Sequence, residues 1–150
     1  MSATHYYNVS LSFDHDRKGT LSSEVLNHTL EVATPPEFTK GMPGIWSPEH
    51  LLVAAVNSCL MTTFLAIAEN SKLEFVDFKS EAKGKLEVVD GKYMISEIEL
   101  NPILTIDNEA QKEKAERVLV KSEAACLISN SVKSKIIFNP TVTVQTSVHA

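Results

Sequence analysis

The sequence has few of the residues that would mark a metal, nucleotide or nucleic-acid site. Its 150 residues include two cysteines, five histidines and 14 basic side chains against 19 acidic ones, so the formal net charge is −5. Because no basic face is available to neutralise phosphates, we expect no nucleic-acid partner. The histidines lack ligand spacing and no glycine-rich phosphate loop occurs, so neither a metal nor a cofactor is predicted.

A targeting segment is also missing from the expected places. Residues 1–6 contain no basic segment followed by an apolar run, so we predict no secretory signal and a cytoplasmic location. Cys59 and Cys126 form neither a metal-spacing motif nor a disulfide framework. In a reducing cytosol they are either inert core thiols or a redox pair. The length predicts one domain, 1–150.

The longest uncharged stretch, residues 51–68, predicts a central helix. Ser47 can cap its first free amides, and Pro48 suits the first helical position because it has no N–H to leave unpaired. Glu49 then lies in the first turn, where the helix dipole favours a carboxylate. Apolar groups occur on every face, so this helix is buried all round, in a protein or in a membrane.

A membrane span is the less favoured alternative for this helix. About 18 uncharged residues is the lower edge for a span, and glutamate rather than lysine or arginine stands at both ends. We therefore predict a core helix and no membrane partner. A helix of about 20 residues is about 30 Å long, and the rest of a small domain can hardly cover it. A second subunit is therefore expected to cover part of its surface.

The remaining pattern predicts an α+β domain. Apolar and polar residues alternate as they do in strands. Asp107 or Asn108 is predicted to cap an amphipathic second helix that has Cys126 near its end. Asp90-Gly91 predicts a hairpin turn. A short third helix can start at Ser129. The predicted strands are 7–13, 20–23, 29–34, 78–88, 94–100 with a break at 101–102 and a continuation to 106, and one or two within 135–148.

Cys59, in the middle of the apolar helix, is the strongest candidate for a reactive residue. The alternative is that it packs as a small hydrophobe, since free cysteine is among the most buried residue types. A reactive thiol needs a lowered pKa and a positive neighbour. Arg17, one of two arginines, would favour the thiolate if it lay nearby. Glu49 lies about 15 Å from Cys59 along the helix, so it either orients a long cation or serves only the helix dipole.

Two segments resemble a known family. Ser47-Pro48-Glu49-His50-Leu51-Leu52, followed by Ala54-Ala55-Val56-Asn57-Ser58-Cys59, is similar to the cysteine-bearing helix of the OsmC/Ohr family, the osmotically inducible and organic hydroperoxide resistance proteins. Residues 124–130 resemble its second cysteine segment, and the Arg17-Lys18-Gly19 turn falls at the family position. The resemblance covers nearly the whole chain. One departure is Leu127, where the family often has proline.

The resemblance implies a thiol-dependent, peroxiredoxin-like peroxidase that acts on organic hydroperoxides. Position by position, Cys59 would be the peroxidatic thiol, Cys126 the resolving thiol, and Arg17 with Glu49 the activating pair. The implied fold is an intertwined α+β homodimer with antiparallel sheets around long buried central helices. The implied reductant is an external dithiol such as a lipoyl-bearing protein. Two alternatives stay open: a non-catalytic OsmC-like dimeric module that binds an apolar small molecule, and a redox sensor.

Overall fold

The structure is a computed structural model that describes residues 3–146, and the chain divides into two compact units, Met1–Leu51 and Leu52–Ala150. The first unit contains a three-stranded antiparallel sheet in the order β1-β2-β3. Its strands are β1 (Ser10–His15), β2 (Lys18–Ser22) and β3 (Leu30–Ala33). All pairings in this sheet are antiparallel, as the family resemblance implies.

Strand β1 differs from its prediction in bounds and in burial. It begins at Ser10 rather than residue 7, and all six of its residues are exposed within the chain. Leu11 and Phe13, which the alternating pattern places on a buried face, are 65% and 76% exposed. An alternating apolar pattern predicts that one face of a strand is buried, but it does not show whether the same chain or another chain buries it. The described part of this chain does not bury either face of β1.

The central helix, α1 (Pro48–Asn70), begins where the sequence predicts. Ser47 caps it: its Oγ accepts from the amide of His50 at 3.1 Å, and its carbonyl oxygen accepts from the amide of Leu51 at 3.0 Å. By length and composition this helix could cross a membrane, as the core helices of soluble proteins also could. It buries Val56, Leu60 and Phe64 completely.

The second unit holds a mixed four-stranded sheet. The two long strands form an antiparallel hairpin whose turn, Asp90-Gly91, has positive φ angles of 51° and 79°, as predicted for this dipeptide. The last two strands instead run parallel to β5, a pairing that the sequence pattern does not predict. The strands are β4 (Asp77–Val89), β5 (Lys92–Ile106), β6 (Lys135–Phe138) and β7 (Thr141–Val144). Residues 147 and 148 of the last predicted strand lie outside the described residues.

Strand β5 runs without a break through Pro102, where the sequence predicts an interruption. A proline is tolerated in a strand only where its missing N–H has no ladder partner. Strand β6 pairs with β5 up to Leu100, and β7 pairs with it from Ile103 onward. Pro102 thus lies where β5 changes neighbours, so the strand continues.

Helix α2 (Lys112–Ala125) packs its apolar face on the core of the second unit. A single 3₁₀ turn (Glu109–Gln111) precedes it, and Asn108 caps that turn by accepting from the amide of Ala110 at 3.0 Å. One apolar cluster joins α1, α2 and the sheet, and a second joins α1 to β5. The buried members are Phe64, Ala68, Leu73, Leu104, Ile106, Ala115, Val118 and Leu119 in the first, and Val56, Leu60, Ile98 and Leu100 in the second.

Gly84 on β4 lies against Val53 of α1 with no room for a side chain. A Cβ atom at this position would meet Cγ2 of Val53 at 2.5 Å, and valine cannot turn away because its χ1 is restricted. We expect Gly84→Ala to lower the free energy of unfolding by about 1–3 kcal/mol through overpacking. Urea denaturation measures the loss. Adding Val53→Ala should recover part of it, and a purely additive double variant would contradict the contact.

Candidate active site

The two cysteines lie together in the second unit. Cys59 occupies the middle of α1, and Cys126 ends α2, where its amide donates to the carbonyl oxygen of Glu123 at 3.2 Å. Both are free thiols, and Cys126 is fully buried whereas Cys59 retains 8% exposure. The two thiols lie close enough that each shifts the pKa of the other. Two residues far apart in sequence thus form one dithiol site.

The chain after Cys126 folds into a tight turn, residues 126–131, that faces the sulfurs. The carbonyl oxygen of Cys126 accepts from the amide of Asn130 at 3.1 Å. The Ser131 hydroxyl donates to the carbonyl oxygen of Leu127 at 2.7 Å. Ile128 packs against the second apolar cluster and anchors the turn.

Polar groups near the Cys59 sulfur offset its burial. Oγ1 of Thr63, one helical turn along α1, lies 3.8 Å from Sγ of Cys59. Burial raises the pKa of the Cys59 thiol, but hydrogen bonding by the main-chain amides of Ile128 and Leu127, the Cys126 thiol and Thr63 places that pKa below its ordinary value. Of the two cysteines, Cys59 is therefore the one whose pKa the site lowers.

The pKa of Cys126 is shifted in the opposite direction. Burial raises its pKa, the amide and hydroxyl of Ser129 lower it, and the Cys59 sulfur beside it raises it further, so the pKa of Cys126 lies above its ordinary value. The two thiols are thus unequal: the pKa of Cys59 lies below the ordinary thiol value, and the pKa of Cys126 lies above it. This division suits an attacking thiol and a resolving thiol, because the thiolate is the nucleophile.

Arg17 and Glu49 lie in the first unit. Arg17 is exposed in the turn between β1 and β2, and it lines an open cavity of about 620 Å³ together with Leu11, Phe13 and Pro48. Glu49 is half-buried in the first turn of α1. Across residues 3–146, no ion pair joins the two side chains. Their predicted pairing therefore has no support from within one chain and stays a prediction.

The cation next to Arg17 is already neutralised. Nζ of Lys18 contacts Asp14 at 2.8 Å and Glu31 at 2.9 Å. Thr20 also donates to the Asp14 carboxylate, at 2.6 Å. Arg17 makes no comparable ion pair among the described residues, so it is the cation of this turn that remains available to a ligand or to another chain.

The part of the chain that the structure describes holds no cluster of three or more histidine, cysteine or acidic side chains able to bind a metal ion. The donors that surround the two sulfurs are amides, hydroxyls and thiols. This arrangement suits the stabilisation of a thiolate rather than the coordination of a cation.

The fold and this dithiol site define an α+β protein with one activated and one buried thiol, and comparison with known proteins identifies its family. The model of the OsmC-like protein family matches residues 41–141, more than half of the chain. The chain therefore belongs to the OsmC family. The uncharacterized protein YmaD of Bacillus subtilis is 23% identical over 137 residues, covering 89% of this chain and 91% of YmaD.

Solved structures share the fold. An OsmC-like protein of unknown function from Vibrio cholerae superposes with a TM-score of 0.80 at 18% identity, over 91% of this chain and 99% of that one. An organic hydroperoxide resistance protein from Elizabethkingia anophelis, crystallised with thiocyanate bound, gives 0.73 at 20% identity, over 95% and 100%. At these identities the likeness establishes the OsmC-like α+β fold that the sequence resemblance implies.

Three residues of the site escape sequence reasoning. The sequence could have indicated Thr63 and Ser129, because they follow Cys59 and Cys126 by four and three residues respectively. These spacings bring side chains together on helical turns. Ile128 had none, since it contributes a main-chain N–H that every residue type except proline carries.

Proposed function

We propose that this protein is a thiol-dependent peroxidase that reduces organic hydroperoxides to alcohols. The observation that carries the proposal is the unequal thiol pair: the pKa of Cys59 is lowered by its polar neighbours, and the pKa of Cys126 beside it is raised. Membership of the OsmC family supports a role in peroxide handling. The protein is expected to act in the cytoplasm, where a dithiol pool can reduce it.

The first step is attack by the Cys59 thiolate on the terminal oxygen of the hydroperoxide. A sulfur–oxygen bond forms, the O–O bond breaks, and the leaving alkoxide takes a proton from solvent to become the alcohol. Sulfur is oxidised by two electrons to the sulfenic acid. The Leu127 and Ile128 amides and Thr63, which face this sulfur, hold the thiolate before attack.

The second step joins the two sulfurs. Cys126 attacks the Cys59 sulfenic acid, a disulfide forms, and the oxygen leaves as water with the protons of the two groups. An external dithiol, such as a lipoyl-bearing protein, then exchanges with this disulfide, becoming oxidised itself and restoring both thiols. Turnover therefore needs no bound cofactor.

Arg17 and Glu49 complete the proposed site. The Arg17 guanidinium would stabilise the thiolate and hydrogen-bond the peroxide, and Glu49 would hold the guanidinium by a bidentate pair. This arrangement is proposed to arise in a homodimer. Apolar side chains that the chain leaves exposed on β1, including Phe13, and on α1, including Met61 and Leu65, provide the surface for a second copy.

A second candidate function rests on the open cavity beside Arg17. Leu11, Phe13 and Val32 give this cavity an apolar lining, which also suits a non-catalytic module that binds an apolar small molecule. In that case the cysteines would be packing residues or a slow redox sensor, and the peroxide would not consume them rapidly.

Thiol counting distinguishes these functions. The reduced protein is treated anaerobically with one equivalent of cumene hydroperoxide, then titrated for free thiols and analysed by non-reducing mass spectrometry. The peroxidase should lose both thiols within the mixing time and form an intrachain Cys59–Cys126 disulfide. Two unchanged thiols would move the binding module to first place, and loss over hours would favour the sensor.

A further inference from the structure

We infer that two adjacent threonines of α1 prepare the Cys59 sulfur for attack: the Thr63 hydroxyl binds the sulfur, and Thr62 directs it there by occupying the Cys59 carbonyl oxygen. This role rests on the proposed function, in which Cys59 reacts as a thiolate. The hydrogen bonds themselves can be tested without any peroxide, so the role and the proposed function can fail separately.

Cys59 and Thr63 lie four residues apart on α1, a spacing that places side chains on the same side of a helix. Oγ1 of Thr63 lies 3.8 Å from Sγ of Cys59, and the pair is hydrogen-bonded. Thr63 is half-buried and Cys59 is 8% exposed, so little water competes for this contact. When Cys59 loses its proton, its sulfur can only accept, and the threonine hydroxyl is the donor. This hydroxyl therefore favours the thiolate.

The Thr62 hydroxyl, one residue earlier, has a different acceptor. It donates to the carbonyl oxygen of Cys59 at 3.1 Å. The same oxygen accepts the amide of Thr63 in the regular pattern of an α-helix, so both of its lone pairs are occupied. A helical threonine can otherwise donate its hydroxyl to the carbonyl oxygen four residues earlier, which for Thr63 is this oxygen. With that acceptor occupied, the Thr63 hydroxyl is left to the sulfur, and the described residues offer it no other partner.

Removal of the Thr62 hydroxyl would therefore act on the sulfur through Thr63. With the carbonyl oxygen of Cys59 free, the Thr63 hydroxyl would gain a second acceptor while Cys59 is protonated, and this stabilises the thiol rather than the thiolate. The titratable group beside Cys59 in the described part of the second unit is Cys126, which also lowers the pKa of Cys59, and the partner subunit's Arg17 is proposed to do so. Both stay in place when a threonine hydroxyl is removed.

The test is a double-mutant cycle on the two threonines, in which valine replaces the hydroxyl by a methyl group and keeps the branched shape. The rate of carbamidomethylation of Cys59 by iodoacetamide is followed from pH 5 to pH 10 by peptide mass analysis, in full-length protein. Thr63→Val should shift the pH midpoint upward by about half a unit to one unit, slowing alkylation at neutral pH about three- to tenfold. Thr62→Val should shift it upward by a smaller amount. The double variant should match Thr63→Val, because Thr62 acts only through Thr63.

Ser58→Ala is the matched control. The Ser58 hydroxyl, next to Cys59 in sequence, donates to the carbonyl oxygen of Ala55 at 3.3 Å. Its removal deletes a hydroxyl from the same helix without touching either acceptor of Cys59, so the midpoint should equal that of the parent. Thr63→Ser keeps the hydroxyl and should also keep the parental midpoint, whereas a purely packing role of the threonine methyl group would not predict this.

An unshifted midpoint in Thr63→Val would overturn the inference, and so would an equal shift in Ser58→Ala. Shifts that add in the double variant, or no shift in Thr62→Val, would overturn the role of Thr62. If Thr63→Val fails to fold, as judged by its circular dichroism melt, Thr63→Ala replaces it and the same upward shift is expected. None of these outcomes touches the proposed peroxidase, which would fail instead if both thiols of the parent survived cumene hydroperoxide.

Discussion

Cys59→Ser is expected to abolish peroxide consumption, whereas Cys126→Ser should preserve a single rapid turnover and lose the following ones. Cys59 is the thiol with the lowered pKa, and serine at this position would be neutral and a poor nucleophile at neutral pH. The rate should fall by at least about a thousandfold, the scale seen when a catalytic nucleophile is removed. In the proposed mechanism Cys126 enters only after the O–O bond has broken, so its loss should leave the first step intact.

Stopped-flow consumption of cumene hydroperoxide measures both expectations. With Cys126→Ser, the burst should equal one peroxide per site, and a sulfenic-acid trap such as dimedone should label Cys59. With Cys59→Ser, neither burst nor label should appear. Each variant serves as the control for the other, since both exchange one sulfur for oxygen in the same dithiol site. Steady turnover by Cys126→Ser at the parental rate would remove the resolving role, and activity in Cys59→Ser would remove the attacking one.

Local signals in the sequence predict much of the fold. Ser47 and Pro48 mark the start of α1 because capping and proline preference depend on a few neighbouring residues. Asp90-Gly91 marks the β4–β5 hairpin because that turn type needs positive φ at both positions. The parallel placement of β6 and β7 on β5 could not be predicted in this way. Contacts between segments far apart in sequence determine which strands are neighbours. The alternation of apolar and polar residues is the same in parallel and in antiparallel strands.

The candidate site, like the fold, could be predicted from the sequence only in part. The sequence motifs around Cys59 and Cys126 identify the two cysteines of the site. Spacing along the chain does not show that residues near two different helices lie together. The donors that distinguish the sulfurs are largely main-chain amides of the 126–131 turn, which no side-chain pattern reveals. The ordinary pKa of a thiol is thus altered by groups that the sequence does not display. The physical cause of the lowered Cys59 pKa is therefore visible only in the structure.

Phe13→Glu is expected to convert a dimer into a monomer. Phe13 is 76% exposed on β1, a strand whose six residues are all exposed within the chain. In a two-fold dimer each substitution acts twice, and lost burial of about 2 kcal/mol per phenylalanine would weaken association about a thousandfold. An unpaired carboxylate in the interface would add to the loss. Sedimentation velocity over a range of protein concentrations measures the change.

Val120→Glu is the matched control, because Val120 is 58% exposed on α2 among charged neighbours, where a carboxylate stays in water. It should leave the dimer unchanged. The monomer made by Phe13→Glu should keep the part of the Cys59 reactivity towards iodoacetamide that Thr63 and Cys126 of the same chain support, and it should lose the part that Arg17 would add across the interface. Peroxidase turnover should fall in that monomer if Arg17 acts across the interface. A parent protein that sediments as a monomer would contradict the dimer, and full turnover by a monomeric variant would place every group the reaction needs within a single chain.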